Sequence, residues 1–409
     1  MGPPLMGVSC AAGRAPPPLE PLRRAARYLL APLATWRLGV RRIQGRTAAG
    51  ERASMLVAGD GSTLRSLVAR VLPADRSVVD EGSLALPRLL VALRRADPGE
   101  LVVARVPSIV GDLLDRAPWL RMPEAIDLWA PLAAVQERRA RHDSVRGSDR
   151  RWRRAGLTWA FTAGDEEFDT FYDAMYVPFA QAMFAERALI RPRAALRRHA
   201  ALGGMIWVLH GGERVAGAVV TREGDALHVV SLGTCLAPAR ARELGCMAAV
   251  FSFGCDLASS VGAGTIDFGG AVPWLDDGAV RAKRVRGGRL GPKRSSNRVH
   301  LLAWQSESAA VRALLALIPL VVSRAGELTA LARIEGSSAP APEVALALHR
   351  RMGLPGLARF AVVASPEGAQ DVPAGGPIRF LQPGSSGEIR QQLDRLDPRC
   401  TASSRGDGR

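Results

Sequence analysis

The sequence holds almost no lysine: of its 55 basic residues only Lys283 and Lys293 are lysines, and the rest are arginines. Cysteine is scarce as well. Cys10, Cys235, Cys246, Cys255 and Cys400 form no CxxC pair and join no histidine-rich cluster. That excludes the common zinc spacings and a disulfide scaffold, and leads to the expectation of no metal and a reducing cytoplasm. No run approaches the roughly 18 apolar residues that cross a bilayer. The nearest, Val311 to Val322, is shorter and contains Arg312 and Pro319. The chain opens Gly2-Pro3-Pro4, without the apolar stretch and cleavage site of a secretory signal. It also lacks a G-x-S-x-G elbow and a G-x-x-x-x-G-K-[ST] loop, which sets aside hydrolases of the first kind and nucleotidases of the second.

What the sequence does have is length and positive charge. Its 409 residues, 47% of them apolar, suffice for two packed domains with tails. A net charge of +16 calls for an anionic partner: a nucleotide-bearing cofactor, nucleic acid or an acidic membrane face.

Residues 1–22 read as a disordered tail, and 23–45 as a basic helix that either packs on the next domain or lies on an anionic membrane surface. Met55–Ala58, Leu101–Val106 and Ala125–Trp129 have the short apolar pattern of strands, and Ser62–Val71, Leu86–Arg95 and Ser108–Leu114 that of helices. Between Pro131 and Arg154 lie eight arginines against three acids, a solvated basic face or a contact for an anionic ligand.

From Leu157 the order is more telling. A strand (Leu157–Phe161) precedes two helices (Glu166–Glu186 and Pro192–Leu202). A meander follows, Met205–Leu209, Arg214–Arg222 and Ala226–Leu232, with tight turns at Gly211-Gly212 and Gly224-Asp225. A long helical stripe (Arg240–Ser260) then leads to a strand at Thr265–Phe268. The last strand must run parallel to the one before the helix, so the sheet is mixed. The helix start, with its unpaired amides, favours phosphate; further on, Arg298–Trp304 reads as another strand that closes this sheet.

Arg242-Glu243-Leu244-Gly245-Cys246-Met247 resembles the pyrophosphate loop [Q/R]-x-x-G-x-[G/A] of the GNAT acyltransferases, departing from it at Met247. Ile266-Asp267-Phe268-Gly269-Gly270, then Pro273-Trp274-Leu275-Asp276-Asp277-Gly278 and Arg281-Ala282-Lys283-Arg284, resemble the signature of the Fem-like branch of that superfamily. Phe171-Tyr172-Asp173-Ala174-Met175-Tyr176 resembles the helix that opens its second domain. The resemblance covers about residues 125–305.

It implies an α/β protein of GNAT fold with two tandem GNAT-like halves and a C-terminal helical extension. The parts would be a tail and basic helix over 1–50, a diverged half over 51–155, the acyltransferase domain over 156–305, a helical extension with one strand over 306–365, and a flexible tail over 366–409. The activity implied is transfer of an acyl group from acyl-CoA to an amine, either a small molecule or a cell-envelope precursor. A Fem-type transferase using aminoacyl-tRNA, and a non-catalytic basic protein that binds nucleic acid or an anionic surface, are the alternatives. The setting would be cytoplasmic, with peripheral contact at the inner membrane face as a further expectation.

Such chemistry asks mainly for two reactants held in line, where effective molarities of about 10⁵ M or more are attainable. The donor's phosphates would lie against Arg240, Arg242, Gly245 and Cys246. Its amide arm would follow the strand edge Ser231, Leu232, Gly233, Thr234 and Cys235. His228 and Asp267, on neighbouring strands, are candidates for moving the amine proton, with an ordinary histidine and a turn-holding aspartate as the plainer readings. Asp276 and Asp277 would orient a cationic acceptor or cap the next helix. Tyr172 and Tyr176, four apart on one helix face, form a core stripe or, with Trp274, wall the acceptor. Lys283 and Arg284 belong to a run of eight basic residues from Arg281 to Arg298, unbroken by any acid between Asp277 and Glu307, that suits an anionic ligand better than plain solvation does.

Overall fold

The computed structural model describes residues 37–85, 91, 96–115, 118–185, 188, 190–292, 297–317, 319–324, 326–334, 341–364 and 378–396. The expected tail over 1–22, the basic helix up to residue 36, the helix Leu86–Arg95 apart from Val91, and the tail over 366–377 and 397–409 lie outside the described residues.

In chain order the elements begin β1 (Arg37–Arg46), β2 (Arg52–Ala58), α1 (Ser62–Val71), β3 (Ala74–Ala85), β4 (Leu101–Pro107), α2 (Ser108–Leu113) and β5 (Leu120–Pro123). Next come β6 (Ile126–Pro131), α3 (Leu132–Arg141), α4 (Asp143–Arg154) and β7 (Thr158–Ala163). Helix α5 (Phe168–Phe171) passes through a π-helical turn (Tyr172–Tyr176) into α6 (Val177–Phe184), followed by α7 (Arg193–Leu202). The meander is β8 (Gly204–His210), β9 (Glu213–Glu223) and β10 (Ala226–Thr234). After it stand α8 (Pro238–Leu244), α9 (Cys246–Ser260), β11 (Thr265–Ala271), α10 (Gly278–Val285), β12 (Arg289–Pro292) and β13 (Arg298–Ala303). The last are α11 (Ala309–Leu317), β14 (Leu320–Arg324), β15 (Glu327–Arg333), α12 (Ala341–Met352), β16 (Leu357–Val363), β17 (Ile378–Leu381) and α13 (Ser386–Arg395).

Contacts divide these residues into two compact units, one drawn from 127–270 and 282–289, the other from 24–126, 271–281 and 290–409. The first is built on a sheet of order β12-β6-β11-β10-β9-β8-β7. Strands β7 to β10 pair antiparallel, and β10 pairs parallel with β11, the mixed arrangement that the turns and the intervening helix require. One face of the sheet buries Ile206, Val208, Ala218, Leu227 and Val229 against α9, whose two-sided apolar sequence fits a helix between sheet and covering helices. The other face buries Trp207 and Val219 against Phe168, Phe171 and Leu196.

Helices α3 and α4 belong to this unit, not to the preceding half. Trp152 of α4 meets Phe253 of α9 edge to face at 4.9 Å, and Arg139 of α3 reaches Asp256 of α9 at 2.7 Å. The arginine content of the stretch conceals those few anchoring positions.

The other unit has a sheet of order β3-β1-β2-β4-β13-β5 and a second of order β14-β15-β16-β17, which share one core from Ile43 and Met55 to Leu331 and Ile389. Four expectations change here. Arg37–Arg46 is a strand, because Leu38 and Val40 alternate inward. The strand at Arg298–Trp304 lies between β4 and β5 rather than closing the sheet that contains β10 and β11. It is buried on both faces, so its pattern names no partner sheet. The expected helical extension contains the hairpin β14–β15, formed by short β-branched runs about Gly326. Residues 378–395 are folded rather than a flexible tail. The Oγ of Ser385 accepts from the Glu388 amide, Glu388 Oε2 accepts from the Ser385 amide, and Ile389 and Leu393 are buried.

Candidate functional site

The parallel strands β10 and β11 pair only at Ala226–Thr265, Leu227–Ile266 and His228–Asp267. Beyond that register the ladder pairing ends, and two irregularities mark the place. Strand β10 bulges between Val229 and Ser231 against β9. Gly269 of β11 turns with φ +77, close enough to β10 that a Cβ there would stand 2.6 Å from the Val229 carbonyl oxygen. Only glycine meets both conditions.

At the apex sits a hydrogen-bonded network. His228 Nδ1 donates to Asp267 Oδ2 at 2.9 Å, and Asp267 Oδ1 accepts the Gly269 amide at 2.7 Å. Lys283 Nζ donates to the Gly269 and Gly270 carbonyls at 2.8 and 2.9 Å. The hydrogen bond to Asp267 raises the His228 pKa above its ordinary 6.5 against the pull of burial, helped by the charges of Asp267, Glu223 and Asp127. Burial opposes ionisation of Asp267, yet His228, the Gly269 amide and the Lys283 charge together hold its pKa below the ordinary 3.8. With Nδ1 engaged, Nε2 is the atom that could exchange a proton. It is closed off from solvent, with Glu223 Oε2 at 3.8 Å on a side chain 89% exposed and free to swing. The sequence reading missed Glu223; its place beside the Gly224-Asp225 turn, opposite Ala226, was the available signal.

The donor side differs in one respect. The single helix expected over Arg240–Ser260 is broken at Gly245, which takes a left-handed conformation with φ 77 between α8 and α9. The Gly245 amide bonds to the Arg242 carbonyl, Trp152 packs over Gly245, and Cys246 is fully buried. Gly245 and Cys246 therefore do not face outward as a phosphate cradle. Burial pushes the Cys246 thiol up to about 11 and that of Cys255 to about 12, so neither is a ready nucleophile. Arg242 is exposed, with no acid in ion-pair range among the described residues, while Arg240 pairs with Glu243 at 2.7 Å. Ser231 is half-buried at the open edge. The Gly233 Cα lies against the backbone of Met175 and Tyr176, and Thr234 Oγ1 donates to the Val215 carbonyl at 2.6 Å. The exposed Cys235 keeps its amide on the same carbonyl at 3.3 Å.

The remaining candidates are held by structural partners. The Tyr172 hydroxyl donates to the Arg191 carbonyl and that of Tyr176 accepts the Arg191 amide, each at 2.9 Å, so both clamp the approach to α7 instead of lining an open wall. Trp274 is 1% exposed in the core of the other unit, under the Arg70 guanidinium at 5.8 Å, and offers no surface to an acceptor. Asp276 pairs with Arg70 at 2.8 Å. Asp277 caps α10, accepting the Ala279 amide at 2.8 Å. Lys283 is buried on the Gly269-Gly270 turn, and Arg284 is half-buried. Arg286 is buried over Phe251, so much of the basic run builds the fold; Lys293 and Arg294 lie outside the described residues. Among the described residues no group of His, Cys, Asp and Glu is placed to hold a metal, and no helix is long and apolar enough to cross a membrane.

No protein-family model and no curated protein matches the chain. Among solved structures it is similar to L-PGS from Bacillus licheniformis, at 12% identity over 66% of this chain and 86% of that one, with a TM-score of 0.33. FemX is similar at 12% identity over 67% and 90%, with a TM-score of 0.34. A GCN5-related N-acetyltransferase from Kribbella flavida is similar at 11% identity over 84% and 86%, with a TM-score of 0.28. At such values the similarity carries nothing about donor, acceptor or residue roles.

Proposed function

We propose that the chain is an N-acyltransferase moving an acyl group from acyl-CoA to an amine. The observation that supports this is that β10 and β11 pair no further than His228 and Asp267, which leaves the β10 edge from Ser231 to Thr234 without a paired strand on that side among the described residues. An amide-bearing donor arm can add to such an edge as a further strand would. Arg242 is the cation available to the donor's phosphates, with the first-turn amides of Met247 and Ala248 in α9 beside it. The acceptor amine attacks the thioester carbon, a C–N bond forms, the C–S bond breaks and the thiolate leaves. The amine proton passes to His228 Nε2 once the exposed Glu223 carboxylate, 3.8 Å away, moves and opens that atom, while Asp267 fixes the ring through Nδ1. No covalent enzyme intermediate is needed.

The test is a thermal-shift titration with acetyl-CoA and longer acyl-CoAs, joined to an assay of released thiol. Acyl-CoA should raise the melting temperature, and Arg242→Glu should abolish that rise. If no acyl-CoA stabilises the protein, the proposal fails. The second reading, aminoacyl-tRNA as donor, draws on the net charge of +16. Transfer of a labelled amino acid from charged tRNA in the absence of any CoA would select it.

A further inference from the structure

Gln136, Arg139 and Ala140 of α3 and Arg146, Asp149, Arg150 and Arg153 of α4 line a groove of about 540 Å³. This lies within the range of about 300 to 1,000 Å³ typical of small-molecule sites. Arg146, Arg150 and Arg153 recur at i, i+4 and i+7, one face of a helix, and reach along about 10 Å of it.

The single acid of the groove is directed inward. Asp149 is 2% exposed, accepting Trp152 Nε1 at 3.1 Å and Ser252 Oγ at 2.9 Å. It also holds Arg139 Nε at 3.3 Å, while Arg139 Nη1 donates to Asp256 at 2.7 Å, so the floor is rigid and its charges are matched. The rim is not matched. Arg153 is 3.8 Å from Asp149 and lies over Trp152 at 5.2 Å, and Arg146 has only the exposed Asp143 at 3.6 Å. Arg150 has no acid within ion-pair distance among the described residues. Three guanidiniums on one helix face repel one another, and a shared anion removes that cost. Planar forked donors suit the oxygens of a phosphate group best.

We propose that this groove is a second anion site that binds a phosphate ester carrying two or more negative charges. It is distinct from the donor site in its lining, which comes from α3 and α4 alone and includes neither Arg242 nor any residue of α8 or α9. The inference does not depend on the acyl-transfer reading.

Isothermal titration of the full-length protein with sodium pyrophosphate at low salt tests it. Binding at the groove should weaken about tenfold or more in Arg150→Glu/Arg153→Glu and in Arg146→Glu, and this groove component should persist in Arg242→Glu. The Arg146 variant leaves the stacking on Trp152 intact, so it keeps the test valid if the double variant folds poorly. Absence of pyrophosphate binding, or binding that only Arg242→Glu removes, overturns the proposal. Sedimentation with phosphatidylcholine vesicles, with and without phosphatidylglycerol, then separates the sources. Vesicle binding lost in the groove variants identifies a lipid headgroup, and pyrophosphate binding without vesicle binding identifies a soluble phosphate ester.

Discussion

At the scale of single residues, two histidines behave in opposite ways. His228 is drawn towards its charged form by Asp267, so a base at Nε2 becomes available only as pH rises through a pKa above 6.5. Acyl transfer should therefore increase with pH across neutrality. His228→Gln should lower kcat by about 10²-fold or more with the donor KM little changed. Asp267→Asn should return the His228 titration, followed by NMR, to near or below its ordinary value. His300 is fully buried in β13 with neither ring nitrogen hydrogen-bonded, and burial pushes its pKa down to about 4. The unfolded chain then binds a proton that the folded chain refuses. This destabilisation is absent above about 6.5, grows as pH falls towards 4, and levels off below it. His300→Leu should remove it, which denaturant midpoints at pH 7.5 and pH 5 would show.

At the scale of elements, the β10–β11 junction depends on Gly269. Gly269→Ala places a Cβ 2.6 Å from the Val229 carbonyl oxygen in a left-handed conformation. It should cost about 2 kcal/mol or more by chemical denaturation, and acyl-CoA binding should be lost with the splay. Ser385→Ala removes one half of the α13 capping box and should cost about 1 kcal/mol. The meander, α9 and β11 were legible because alternation, glycine pairs and a helical stripe are local signals. The break at Gly245 was not, since a helix pattern runs through it and Trp152, ninety-three positions earlier, decides the packing. Trp274 and Asp276 were misplaced for the same reason: their partner is Arg70, which no local spacing reveals. That Asp267 and His228 are neighbours was legible because parallel pairing sets them side by side.

At the scale of the whole molecule, charge is a weak guide to function until burial is known. Lys283, Arg286 and Arg390 are all buried, bonded to backbone carbonyls, while the α4 stripe stays at the surface. Titrating salt should accordingly weaken pyrophosphate binding far more than it shifts the melting temperature.

The place of β13 has a consequence for synthesis. It is the sixth member of its sheet in order of appearance, yet it lies between two strands made about 180 residues before it. The residues from 127 to 270 emerge from the ribosome in one continuous piece and can reach their native pairing while that earlier sheet still lacks an interior strand. Until His300 and its neighbours arrive, β4 and β5 expose bare edges to whatever chain is near, so the half-made protein is most vulnerable to aggregation, and most in need of a chaperone, before its second-written portion is complete.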